Sequence, residues 1–158
     1  MERAFGFEPV YSEDSRVLIL GSFPSVKSRA VGFYYGNPQN RFWKTVCGYF
    51  GEDVPADTEG KREFLLRRKI ALWDVVTSCE IKGSSDASIR AEAVGDLQSL
   101  FQKCGASRIL CNGSKAYTAL LETAPALLPY AVRLNSTSPA NPRFTVQEWH
   151  TALKEAGL

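Results

Sequence analysis

Four short apolar runs punctuate the chain, and each gives way to a segment rich in Gly, Asn, Ser or Pro. RVLIL at residues 16–20 leads into GSFPS, and IALWDV at 70–75 leads into TSCEIKGSSDAS. RILC at 108–111 leads into NGSK, and YAVRL at 130–134 into NSTSPANP. Apolar runs of four to six residues bounded by turn formers read as strands buried on both faces. Amphipathic stretches lie between them at 41–50, 61–69, 96–104 and 114–122, and a last one over 145–156 stops at Gly157. Strands separated by helices pair in parallel through right-handed crossovers. The expected fold class is therefore α/β, three-layer α/β/α with a central, mainly four-stranded parallel sheet. Ligands of such sheets bind in the crevice at the carboxyl ends of the strands. The four polar loops converge there, which is where the site is expected.

The length of 158 residues suits one domain over 1–158, with 1–14 as an N-terminal extension. A chain of this size buries roughly 70% of its unfolded surface and needs neither disulfide nor metal to fold. Cys47, Cys79, Cys104 and Cys111 are irregularly spaced with no C-x-x-C pair, so they read as buried thiols and no metal is expected. His150 is the single histidine, which disfavours a Ser-His-Asp triad and removes any mechanism that needs two histidines. No apolar run is long enough to span a bilayer, and the charged start MERAFGFEPVYSEDS carries no export signal. A cytoplasmic monomer without cofactor is expected.

Nineteen basic and 17 acidic residues leave a net charge of +2, too small for a long basic nucleic-acid groove. The distribution says more than the sum. Residues 21–50 hold Lys27, Arg29, Arg41 and Lys44 with no acid, and 103–121 hold Lys103, Arg108 and Lys115 with none. Arg133 and Arg143 are likewise unopposed within 123–147, while residues 51–102 carry ten acids against seven bases. A positive rim around aromatic residues suits a phosphate backbone and an unstacked base; scatter over a solvated surface is the alternative.

Residues 32–44, GFYYGNPQNRFWK, resemble the Tyr-x-x-x-x-Asn-x-Phe-Trp signature of the mismatch-specific uracil/thymine branch of the uracil-DNA glycosylase superfamily. STSPANP at 136–142 is similar to the second motif of the single-strand-selective uracil enzymes, and GSFPS at 21–25 to the first motif. With ALWDV-x-x-SC and GSSDASI, the ordered set is closest to the hypoxanthine (deoxyinosine) DNA glycosylase family of that superfamily. The resemblance implies a uracil-DNA-glycosylase-like fold and a monofunctional base-excision-repair hydrolase acting on DNA with a deaminated base. It further implies that three uracil-specific groups are replaced here, by Phe23, Asp74 and Ser136. Rival readings are a uracil or mismatched-thymine glycosylase on the same fold, and a non-catalytic nucleic-acid-binding domain.

The resemblance implies catalysis by Asn40, and it places Ser136 where relatives carry a histidine that stabilises the departing base. A neutral amide can orient water by accepting its hydrogen bond. Asn40 also precedes the 41–50 helix, where Asn is a favoured cap, and the two roles are compatible. Phe23 and Tyr35 are candidate stacking faces, with core packing as their alternative. Asp74 can accept from hypoxanthine N1–H while Asn112 donates to O6 or N7; a strand-end turn for Asp74 and an Asx-turn for Asn112 remain open. Ser25, Lys27, Ser138, Pro139, Asn141 and Arg143 are candidate DNA contacts. Ala140 and Asn141 are expected at the tip that fills the gap left by an extruded base, with Thr137 beside them bonding phosphate.

Overall fold

The computed structural model describes residues 3–84 and 88–158; Ser85, Asp86 and Ala87 of the GSSDASI segment lie outside the described residues. The central strand β2 (Val17–Gly21) is buried along its whole length. Its side chains alternate between two faces, as strand geometry requires. Val17 and Ile19 enter one core with α2 (Phe42–Tyr49), α3 (Thr58–Arg67) and α6 (Val146–Glu155), through Phe42, Trp43, Phe64, Leu65, Trp149 and Leu153. Leu18 and Leu20 enter the other with α4 (Leu97–Cys104) and α5 (Ser114–Thr123), through Leu97, Leu100, Ala116 and Leu120. These are the three expected layers.

The sheet runs β3-β2-β6-β7, all parallel, with β3 at Ile70–Asp74, β6 at Arg108–Asn112 and β7 at Ala131–Leu134. After β2 the chain crosses to β3 on one side, and later returns through α4 to β6 on the other side of β2. That reversal is a topological switch point, and it opens a crevice at the carboxyl ends of β3, β2 and β6. Register brings Gly21 opposite Asp74, Leu20 opposite Cys111, and Asn112 opposite Leu134. The last residues of three neighbouring strands therefore share one ledge.

Two expectations need correction. The segment after the second apolar run is not a simple loop: Val76–Glu80 forms β4, which pairs antiparallel with β1 (Arg3–Phe5) and with β5 (Arg90–Val94) in a second, small sheet. Its polar sequence hides it, because its pattern of mostly buried and partly exposed residues is carried by Thr, Ser and Cys rather than by a clean alternation. Phe23, Val76, Cys79 and Ile89 form the core of this sheet. A short helix α1 (Val26–Val31) also follows GSFPS, capped by the Ser25 hydroxyl at Ser28 N (3.1 Å).

Residues 3–10 are likewise part of the framework rather than an extension. Beyond the β1 pairing, Val10 exchanges two backbone hydrogen bonds with Leu72 (2.9 and 2.8 Å), covering the open edge of β3. Trp73 Nε1 donates to Phe7 O at 3.1 Å, and the Tyr34 hydroxyl donates to Glu8 O at 2.8 Å. Val10 is 2% exposed, so Val10→Ala removes two buried methyl groups. It is expected to lower unfolding free energy by about 2 kcal/mol in urea, with an unchanged m-value. An unchanged midpoint would mean that the segment contributes nothing to the fold.

Candidate active site

The ledge floors a cleft of about 650 Å³. Glycine at position 21 is a steric requirement: a Cβ there would collide with Asp74 Oδ1 and lie 2.7 Å from the Tyr35 hydroxyl oxygen. Asp74 and Tyr35 thus converge over the bare backbone of β2. Asp74 is 4% exposed and is the one carboxylate among the described residues lining the cleft; Lys, Arg and His are absent from that lining. Amides, hydroxyls and aromatic edges make up its polar character.

Tyr35 is fixed from three directions. Its backbone is left-handed, with φ of 53°, a conformation a bulky side chain adopts at a cost. Its ring stacks on Phe42 at 4.2 Å and 20° between planes, and its hydroxyl accepts from Asn112 Nδ2 at 3.1 Å. The neighbouring Tyr34 is buried, and burial followed by the nearby Asp74 carboxylate holds its phenol above the ordinary range. Phe23 also borders the cleft, but at 9% exposure it belongs mostly to the core of the small sheet, with Arg29 over its ring at 5.5 Å. Tyr35 is the better-placed stacking face.

Asn112 is not available for the base contact expected of it. Its two amide hydrogens go to the Tyr35 hydroxyl and to Thr137 Oγ1 (3.0 Å), and its Oδ1 accepts from Thr137 N at 2.9 Å. The backbone donor fixes which end of the amide is oxygen. Asn112 is thus a buried brace between β6, Tyr35 and the loop after β7. Thr137 is fully buried with its hydroxyl facing Asn112, so it does not present that group to phosphate.

Gly113, at φ of +97°, lets the loop approach: a Cβ there would sit 3.2 Å from Ser136 Cβ. The 136–142 loop is built from short-range turns. Ser138 N donates to Ser136 Oγ (3.1 Å), Ala140 N to Ser138 Oγ (3.3 Å), and Asn141 Nδ2 to Ser136 O (3.1 Å). Asn141 Oδ1 in turn accepts from Arg143 N at 3.2 Å. Asn141 therefore closes the loop instead of forming its tip, and the exposed tip is Pro139 and Ala140.

Asn40 borders the cleft at the start of α2. Its Oδ1 accepts from Phe42 N at 2.9 Å, an Asx-type turn that satisfies one orphan donor of the helix. One lone pair of that oxygen and the Nδ2 group remain for a ligand. The supporting role and the exposure to the cleft coexist, as the sequence allows.

Asn40, Ser136, Phe23, Tyr35, Asp74, Asn112, Ser25, Ser138 and Pro139 all line this cleft. Asn141 and Arg143 border a neighbouring depression of about 430 Å³, together with Arg133 and Glu148. Lys27 is exposed on α1 and lines neither. Arg41 was missed, although it carries the loop's longest-range contacts: its side chain donates to Thr137 O, Ser138 O and Asn141 O. Its place beside Asn40 in NRFW was visible; its partners, some 96 to 100 positions away, were not.

Other nucleophiles stand apart. Lys115 pairs with Glu92 at 3.0 Å, and His150 Nε2 lies 2.9 Å from Thr45 O, away from the cleft. All four cysteines are buried; burial pushes the Cys47 thiol up to about 11 and Cys111 up to about 12, far from thiolate at neutral pH. Among the described residues no cluster of three His, Cys, Asp or Glu gathers as a metal site, and no helix is long and apolar enough to cross a membrane.

Asn112→Ala removes the acceptor of the buried Thr137 N and the amide bond to the Tyr35 hydroxyl. The expected loss is about 2–3 kcal/mol in chemical denaturation. Stability within 0.5 kcal/mol of the parent, roughly the range of an ordinary surface substitution, would show that the brace contributes little.

The model of the uracil DNA glycosylase superfamily matches residues 8–154. A hypoxanthine DNA glycosylase of Methanosarcina acetivorans is 36% identical over 157 residues, spanning 94% of this chain and 97% of that protein. A hypoxanthine DNA glycosylase of Methanosarcina barkeri is 35% identical over 113 residues, or 70% of this chain and 72% of its own. A solution NMR structure from Methanosarcina acetivorans, described as that of a candidate uracil DNA glycosylase, superposes with a TM-score of 0.83 at 34% identity, covering 99% of this chain and all of that one. The ledge of Gly21, Asp74 and Asn112 at the switch point is thus set in a fold shared along nearly the whole length, and the chain belongs to the uracil DNA glycosylase superfamily.

Proposed function

We propose that this protein is a monofunctional DNA glycosylase that extrudes deoxyinosine from DNA and hydrolyses its N-glycosidic bond, releasing hypoxanthine and leaving an abasic site. The observation that carries this reading is the make-up of the cleft among the described residues: one buried carboxylate, Asp74, beside a fixed aromatic face and a neutral amide, with no amine in the lining. The names of the two similar Methanosarcina proteins point to the same substrate. The reading takes the protein to act as a monomer in the cytoplasm, without a cofactor.

The residues divide the work as follows. Tyr35, stacked from behind by Phe42, offers its other face to the extruded base. Base–aromatic stacking contributes about 1–3 kcal/mol and accepts any base, so it holds without choosing. Choice falls to Asp74, whose carboxylate accepts from N1–H of hypoxanthine. Adenine has no such hydrogen and presents the bare N1 lone pair toward the carboxylate, so the contact that favours hypoxanthine becomes a repulsion. Asn40 Oδ1, steadied by Phe42 N, uses its second lone pair to orient water toward C1′. The water oxygen bonds C1′ as the C1′–N9 bond breaks. Its electron pair leaves with the purine, which takes up the proton that water loses. The transition state is oxocarbenium-like, so placement of a weakly polarised water supplies much of the acceleration. Ser136 supports the departing base from the loop side. Ser25, Ser138 and Pro139 border the opening as phosphate and wedge contacts, with Lys27 on α1 and Arg143 at the neighbouring depression as further phosphate contacts.

Uracil is the second reading, because its N3–H would satisfy Asp74 equally well and the similar NMR structure carries that description. The cleft of about 650 Å³ has room for either base, and the names of the two similar Methanosarcina proteins favour the purine.

Oligonucleotides carrying a single deoxyinosine, a deoxyuridine or a G·T mismatch test these readings. Strand breaks at deoxyinosine that appear only after alkali are expected. Breaks only at deoxyuridine would overturn the substrate, breaks without alkali would overturn the monofunctional mechanism, and binding with no breaks would leave only a binder. Asn40→Ala is expected to slow single-turnover excision at least about 100-fold with the fold intact. Retained activity with a lowered melting temperature would reduce Asn40 to a helix support. Asp74→Asn is expected to change base preference more than affinity for abasic DNA; equal loss on every base would contradict its role in choice.

A further inference from the structure

We infer that Arg41 is a positioning residue, whose guanidinium locks the 136–142 loop against the start of α2 and so fixes the loop tip relative to Asn40. What the loop does for DNA rests on the glycosylase reading above; what Arg41 holds rests on geometry alone.

A guanidinium presents five N–H donors in a rigid planar fork. Arg41 Nε donates to Thr137 O at 3.4 Å, and Nη2 donates to Ser138 O and, at 2.8 Å, to Asn141 O. Its backbone N–H adds a bond to Thr137 O at 3.1 Å, and the Phe144 ring lies 4.3 Å from the guanidinium carbon. Among the described residues no carboxylate lies within ion-pair distance of Arg41, so its charge is met by carbonyl dipoles and an aromatic face. Charge-assisted bonds of this kind are stronger than neutral ones.

Consider what the loop has otherwise. The turns through Ser136, Ser138 and Asn141 shape it internally but do not attach it to the domain. Asn112 anchors it at Thr137, near its beginning. Arg41 spans from that anchor to Asn141, past both sides of the exposed Pro139–Ala140 tip. Because Asn40 is the preceding residue, the same short segment carries the proposed water-orienting amide and the strut for the opposite wall. A change in the loop's seat is therefore a change in cleft width at Asn40. Lysine keeps the charge but has no fork and cannot span three carbonyls.

The test compares Arg41→Gln and Arg41→Lys with the parent protein by two readouts. Hydrogen–deuterium exchange is expected to rise at amides of residues 136–142 in both variants, with the amides of β2 unchanged. In single-turnover excision of deoxyinosine, the half-saturating DNA concentration is expected to rise about tenfold while the saturating rate stays within about threefold. A merely structural defect would lower the active fraction and melting temperature without moving half-saturation. Pro139→Gly, which loosens the tip, should weaken DNA engagement in the parent but add little in Arg41→Gln. Full activity in Arg41→Lys, unchanged loop exchange, or independent effects of Arg41→Gln and Pro139→Gly would each overturn the proposal. Loop exchange that responds to Arg41 in a protein leaving deoxyinosine intact would support the strut and sink the substrate assignment.

Discussion

Asn112, at the end of β6, commits both amide hydrogens and its carbonyl oxygen to the protein, joining Tyr35 on one wall of the cleft to Thr137 on the other. At 8% exposure such an amide is costly to bury unless every group is met, and here each one is. The geometry of the base pocket depends on that closure. Tyr35 keeps its unusual backbone because stacking on Phe42 and the Asn112 bond hold it from both ends. Thr137 in turn passes its carbonyl to Arg41, which ties the loop to the segment holding Asn40. A parallel sheet supplies the ledge, but this hydrogen-bonded chain sets the distance between its walls.

Charge follows the same division between framework and opening. The net +2 conceals a cleft with one carboxylate among the described residues and an outer surface where Lys27, Arg133 and Arg143 are exposed. Elsewhere in the acid-rich middle of the chain, Glu52 meets Arg67 and Arg68, and the two guanidinium groups hold its carboxyl down to about 2. Because few basic residues face the opening, DNA affinity in this account comes from a few phosphate contacts beside one extruded base. Its salt dependence should be shallow.

Much of this was legible in the sequence, for local reasons. VLIL in β2 is apolar on both faces because helices cover both, and the Gly, Asp and Asn that end the strands mark where the sheet must open to a ligand. Asp74 and Ser136 could be placed at the cleft because they end or follow apolar runs, and Asn40 and Tyr35 because the motif at 32–44 carries the family resemblance. What stayed hidden is non-local. β4 is polar because its small sheet has a thin core, and residues 3–10 carry no periodicity that announces their pairing with β3 and β4. Asn112 read as a free donor because its partner Thr137 is 25 positions away, and Arg41 read as one more basic residue because its partners are carbonyls, which any sequence possesses.

The most direct measurement of the central claim is a crystal structure with duplex DNA carrying a non-hydrolysable 2′-fluoro analogue of deoxyinosine. The account predicts hypoxanthine stacked on Tyr35 with N1 within hydrogen-bond distance of Asp74, a water between Asn40 Oδ1 and C1′, and the Asn112–Thr137 bonds intact. A base held by Asn112 with its bonds to Thr137 broken, or a base that never leaves the duplex, would contradict it.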